Sequence, residues 1–93
     1  MRLIKRIGTF RRDYKRELKG KNRKVLEVEF IELIEKLIRD QPLEAKYRDH
    51  ALTGEWKDHR DCHIRPDLVL IYRKQGKDLL HLVRVGSNSE LGL

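Results

Sequence analysis

Val25-Leu26-Glu27-Val28-Glu29-Phe30-Ile31-Glu32-Leu33-Ile34-Glu35-Lys36-Leu37-Ile38 carries the strongest periodic signal in the chain. Val25, Leu26, Phe30, Leu33, Ile34, Leu37 and Ile38 recur at spacings of three and four, with Glu27, Glu29, Glu32 and Glu35 between them. That spacing predicts an amphipathic helix with one apolar face. Pro42 disfavours helical geometry in the residue before it, so the helix is expected to end near Asp40. Upstream, Leu3-Ile4-Lys5-Arg6-Ile7 reads as a first strand, placed at an edge by its lysine and arginine and broken by Gly8. Thr9 stands where an N-cap would, ahead of Phe10, Tyr14 and Leu18 at four-residue intervals. A first helix is expected there, with a narrow apolar stripe, a wide basic face and Gly20 as its stop. Downstream, Gln41 to Gly54 shows no period and reads as a connection. Glu55 to His63, Leu68 to Lys74 and Asp78 to Val85 read as strands, the last two joined by a turn at Gln75-Gly76-Lys77. In the final strand Leu80 and Leu82 take one face, and Leu79, His81 and Val83 the other. The order βααβββ implies one α+β domain over 1–93, with both helices on one face of a small twisted antiparallel sheet. The opposite face is left to water or a ligand.

Ninety-three residues supply one modest core. No apolar run is long enough to span a membrane, and the N-terminus lacks the continuous apolar stretch of a secretory signal. A single cysteine, Cys62, excludes an intrachain disulfide, and together these features favour a cytoplasmic protein. The net charge of +7 is unevenly placed: residues 1–24 hold eleven basic side chains against two acidic ones, and the remaining sixty-nine hold eleven against thirteen. So dense a basic segment favours nucleic acid or an acidic protein as partner.

Chemistry concentrates between Tyr47 and Ile71, where His50, His59 and His63 lie among Asp49, Glu55, Asp58, Asp61 and Asp67 with the lone Trp56. A metal centre fits poorly. On a strand, His59 and His63 would stand about 13 Å apart, and a tetrahedral ion needs ligands at about 2 Å. Cys62 and His63 are adjacent and point to opposite faces, so a cysteine nucleophile is not indicated and Cys62 reads as a small core residue. No glycine-rich phosphate cradle is present and no cofactor is implied. General acid–base chemistry on a phosphodiester remains. RNA brings its own nucleophile in the 2′-hydroxyl, so an enzyme needs a base, an acid and cations. His50 and His63 suit the proton transfers, Asp61 or Asp67 could orient them, and Arg60, Arg65 and Arg84 could bind phosphate. His81, in mid-strand, reads as structural, and His59 as a rim residue.

Asp49-His50-Ala51-Leu52-x-Gly54-x-Trp56-Lys57, then Arg60-Asp61-Cys62-His63-Ile64-x-Pro66-Asp67-Leu68, Ile71-Tyr72 and Arg84-Val85-Gly86-Ser87 resemble the YafQ branch of the RelE/ParE superfamily of bacterial toxins. The resemblance covers roughly the last half of the chain. It implies a RelE/ParE-like α+β fold and the toxin of a type II toxin–antitoxin system, an endoribonuclease that enters the ribosomal A site and cuts messenger RNA. It implies a cognate antitoxin as partner, with operator DNA reached only through the toxin–antitoxin complex. The catalytic pattern carries over at His50, His63 and Asp67, with Asp61 and Arg84 contributing. Arg11, Arg12, Lys15, Arg16 and Lys19 would dock onto ribosomal RNA, together with Arg60 and Arg65. Two positions depart from the pattern: Asn88 replaces a histidine, and Gly92 stands where the family tends to have an aromatic. An asparagine amide hydrogen-bonds but carries no proton through a reaction, so the resemblance implies attenuated activity, whether Asn88 is native or introduced. Two other readings remain: a non-catalytic ParE-like toxin acting on a topoisomerase, and a ribonuclease that needs no ribosome. The paired histidines weigh against the first, and the scarcity of aromatics for base stacking against the second.

Overall fold

The computed structural model describes residues 1–93. Strand β1 (Leu3–Arg6) leads into α1 (Gly8–Leu18), α2 (Arg23–Glu27) and α3 (Glu29–Ile38). A 3-10 turn at Ala45–Tyr47 then precedes β2 (His50–Ala51), and a second at Gly54–Trp56 precedes β3 (Arg60–Arg65). The chain closes with β4 (Leu68–Gln75), β5 (Leu79–Gly86) and the single turn of α4 (Asn88–Leu91). The five strands form one sheet in the order β1-β5-β4-β3-β2.

The α+β class matches expectation, with four differences in detail. The sheet is mixed, because β1 lies parallel to β5 while every other pair is antiparallel. That pairing joins opposite ends of the chain, Leu3 to Leu79 and Arg6 to Leu82, and no local pattern encodes it. The long second helix divides at Val28, whose φ of −120° and ψ of −71° leave helical space. The break exposes Val28 and keeps both Leu26 and Phe30 in the core. Thr9 is not the N-cap: α1 starts at Gly8 after an uncapped Ile7, and the Thr9 hydroxyl donates to the Val83 carbonyl at 2.8 Å. Glu55–Trp56 form part of a 3-10 turn rather than a strand, while His50–Ala51, expected in a loop, make a short edge strand.

Two apolar clusters sandwich the sheet. On the helix face, Phe10, Leu26, Phe30, Leu33, Ile34 and Leu37 pack against Cys62, Leu70, Tyr72, Leu80, Leu82 and Val85. A register shift in the β4–β5 pairing allows Leu82 and Val85, three residues apart, to face the same core. The opposite face is not left wholly open. Val69, Ile71 and Leu91 are buried there, flanked by Leu52, Trp56 and Val83. Between them the two clusters fix β3, β4 and β5 as a rigid platform.

Asp40, just beyond α3, accepts from Arg2 at 2.8 Å and lies 2.8 Å from Lys74 Nζ, fastening the helical layer to β1 and β4. Contacts from Lys74 and Arg2 hold its carboxyl down to about 2. A depressed carboxylate stabilises the fold above the unfolded pKa of about 4. Its contribution should therefore fade as pH falls from about 4 towards 2, and shrink with added salt because the group is exposed. Comparing acid unfolding of the unmodified chain with Asp40→Asn checks this: the variant should lose less stability across that window.

Candidate active site

Directly paired residues of an antiparallel sheet present their side chains to the same face. His50 pairs with Asp61, Asp61 with Ile71, and Ile71 with Arg84, so these four form one cross-strand row. His63 pairs with Val69, and Val69 with Gly86, in the next row along. Because Ile71 and Val69 belong to the second cluster, both rows lie on the face away from the helices. His50 and His63 are thus diagonal neighbours, a relation that places residues about 7–8 Å apart.

The loop carrying His50 is held by Asp49. Its carboxylate accepts from the Tyr72 hydroxyl and from Arg60 Nη2 at 3.1 Å. Burial and that hydrogen bond push the Tyr72 phenol far up, so it remains a donor. Arg48 adopts the left-handed conformation (φ 48°), and its carbonyl turns back to lie 2.7 Å from His50 Nδ1. A carbonyl oxygen only accepts, so Nδ1 carries the proton and Nε2 of the neutral ring is the free acceptor. His63 has the same arrangement, with Nδ1 3.3 Å from the Pro66 carbonyl. Each imidazole therefore leaves Nε2 uncommitted.

Asp61 is almost completely buried, and its Oδ1 approaches His50 Nδ1 to 3.0 Å without hydrogen-bond geometry. Burial raises its carboxyl above the usual range, while His50 and His63 pull it back. Such a carboxylate gains most when an imidazole beside it becomes charged. Cys62 faces the helix core, and burial pushes its thiol well up, which suits a core residue and not a nucleophile. No group of three or more histidine, cysteine, aspartate or glutamate side chains is placed to hold a metal ion.

Arg84, Leu52, Thr53, Glu55, Trp56 and the α4 segment line an open cavity of about 650 Å³ beside the first row. Asp67 follows Pro66, whose carbonyl lies 3.3 Å from His63 Nδ1. It lines a cavity with Arg16, Lys21, Asn22, Ser87 and Glu90, at the start of α4. Ser87 caps that turn, accepting from the Glu90 amide while Glu90 Oε1 accepts from the Ser87 amide, so Asn88 opens a capped turn directly after β5. Arg11, Arg12 and Lys15 are exposed on α1 and border a shallow depression of about 380 Å³ with Gly8, and Lys19 is exposed at the helix end.

Three expected RNA-binding arginines already have protein partners. Arg60 is taken up by Asp49 and Arg65 by Glu29. Arg16 donates to Asp13, Glu17 and the Val85 carbonyl and pairs with Glu90. The supports missed in the sequence are Asp49 and Tyr72 under His50, and Asp13 under Arg84. Asp49 and Tyr72 stand among the quoted motif residues without a role, and Asp13 is one of only two acids in the basic first quarter. Asp61→Asn should raise the thermal midpoint near pH 7 by removing a buried charge, and should reduce the stabilisation gained on mild acidification. That gain is expected because a raised carboxyl pKa costs stability above its folded value and is relieved as pH falls towards the ordinary range. Thermal melts at several pH values measure both effects.

Residues 2–92 match the family model described as bacterial toxin of type II toxin-antitoxin system, YafQ. The mRNA interferase toxin YafQ of Escherichia coli K12 is 48% identical over 50 residues, 54% of this chain and 53% of that protein, so the matched stretch spans about half the length of this curated relative. Crystallised YafQ from E. coli BL21(DE3) superposes with a TM-score of 0.83 at 36% identity, covering 98% of both chains. The crystal structure of the E. coli DinJ–YafQ complex gives 0.80 at 38% identity, with 98% of each chain covered. With the match running over nearly its full length, the chain belongs to the YafQ family of type II toxin–antitoxin toxins.

Proposed function

We propose that this chain is a toxin that cleaves messenger RNA in the ribosomal A site by general acid–base catalysis, and that a cognate antitoxin silences it. The observation that carries the reading is the pair of imidazoles on one sheet face, each with Nδ1 tied to a backbone carbonyl and Nε2 free. One Nε2 takes the proton of the 2′-hydroxyl as O2′ attacks phosphorus. The other imidazole, protonated, gives its proton to the departing 5′-oxygen as the P–O5′ bond breaks, leaving a 2′,3′-cyclic phosphate and a 5′-hydroxyl. Arg84 offsets the charge gathering on the phosphoryl oxygens, and Asp61, 3.0 Å from His50 Nδ1, orients that ring. Asp67 acts at the α4 end of the site, beside position 88. There Asn88 can bond a phosphate oxygen but cannot transfer a proton, so cleavage is slower than with histidine.

The relatives named mRNA interferase and complexed with DinJ support the activity and the antitoxin partner. Arg11, Arg12, Lys15 and Lys19, free on α1, would dock onto ribosomal RNA; Arg16 serves the fold instead. With programmed ribosomes, purified protein should cut within the A-site codon. Asn88→His should raise the rate and His63→Ala should lower it, each by about 10²-fold. Absence of cleavage even with Asn88→His would count against the enzymatic reading, and gyrase inhibition without RNA cleavage would favour the topoisomerase alternative. Charge reversal at Arg11, Arg12 and Lys15 should weaken ribosome binding and flatten its dependence on salt. Binding titrations at several salt concentrations measure that slope.

A further inference from the structure

Asp13 sits on α1, and its carboxylate reaches β5 at Arg84 and Val85. It is 3% exposed, yet it accepts four hydrogen bonds from three partners. Its Oδ2 accepts from Arg84 Nε at 2.6 Å and from the Val85 amide at 3.1 Å. Its Oδ1 accepts from Arg84 Nη2 at 3.3 Å and from Arg16 Nη1 at 3.0 Å. Two parallel bonds to one edge of a guanidinium fix its plane as well as its position. They leave Nη1 of Arg84 uncommitted, on a side chain that also lines the cavity beside the histidine row. Asp13 also holds Arg16, which reaches on to the Val85 carbonyl and to Glu90 of α4. Gly86 makes room for that crossing: a Cβ there would come within 2.8 Å of Arg16 Nη2.

We propose that Asp13 is a positioning residue for RNA cleavage, aiming the Arg84 guanidinium at the scissile phosphate and, through Arg16, fixing the turn that presents residue 88. This rests on the proposed nuclease reading. Asp13 contributes nothing to RNA affinity directly, since its charge opposes phosphate and it is sealed from solvent. Its effect lies in the transition state, where a cation held in place stabilises developing charge without reorganising. A neutral amide at position 13 presents one acceptor oxygen where the carboxylate presents two, so the Arg84 fork loosens while the side-chain volume is kept.

The test is single-turnover cleavage on programmed ribosomes with the unmodified protein, Asp13→Asn, Arg84→Ala and the double variant. Asp13→Asn should lower the maximal rate by at least about tenfold, with the half-saturating ribosome concentration changed by less than about twofold. In the Arg84→Ala background the same substitution should cost no further rate, because the group it positions is gone. A purely structural Asp13 would lower stability and rate by the same factor in both backgrounds, and that result, or a wild-type rate in Asp13→Asn, overturns the proposal. If Asp13→Asn fails to fold by circular dichroism, Arg84→Lys asks the same question, since it keeps the cation and loses the fork. A loss of about tenfold or more in maximal rate supports positioning, and a wild-type rate refutes it. If neither the unmodified protein nor Asn88→His cleaves, the nuclease reading falls and this inference with it; cleavage that Asp13→Asn leaves intact removes the inference alone.

Discussion

A buried carboxylate in the most basic part of the chain organises the junction between the two layers. Asp13 receives Arg16 from its own helix, and Arg84 and the Val85 amide from β5. Removing Asp13 would leave the Val85 amide without its acceptor and Arg84 without its fork. Helix α1 cannot slide along the sheet without breaking this network. The same contacts continue through Arg16 to Glu90 and so to the capping box of α4. The helix that carries the basic face is thereby locked in register with the strand that carries Arg84.

The sheet separates the main core from the candidate site. One face takes the stripe of α1, α2 and α3 and supplies most of the apolar burial. The other has a smaller cluster around Ile71, Val69 and Leu91, and that cluster forms the floor between Arg84 and the two histidines. Imidazoles anchored through Nδ1 to main-chain carbonyls lose little freedom on binding a substrate, because strand geometry and turn geometry have already placed them. The unpartnered Asp61 Oδ1 is the local cost of this arrangement, a buried acceptor whose best complement is a charged imidazole.

Much of this was legible beforehand where the signal was periodic or alternating. The spacing of Phe10, Tyr14 and Leu18, and the stripe from Val25 to Ile38, placed helices that do form. Alternation around Cys62 correctly sent that residue to the core and Asp61 and His63 to the opposite face. Other features resisted for identifiable reasons. The break at Val28 preserves the apolar spacing on either side, so the period carries no trace of it. Strand β2 is two residues long, below the length at which alternation can be recognised. That Asp67, in the turn after β3, shares a cavity with Ser87 and Glu90 from the far end of the chain has no local signature either.

The sequence by itself determined the α+β class, the helix stripes and the opposite faces taken by Cys62 and by Asp61 and His63, because these follow from local spacing. Its motifs also pointed to the family to which the chain belongs. Only the tertiary structure decided that β1 pairs in parallel with β5, that Arg16, Arg60 and Arg65 have carboxylate partners while Arg11 and Arg12 stay free, and that Asp13 lies beneath Arg84. Those outcomes depend on which distant groups meet when the layers close. A charged side chain in a sequence is the same symbol whether it ends in water or in a buried pair, and only the closed fold assigns its partner.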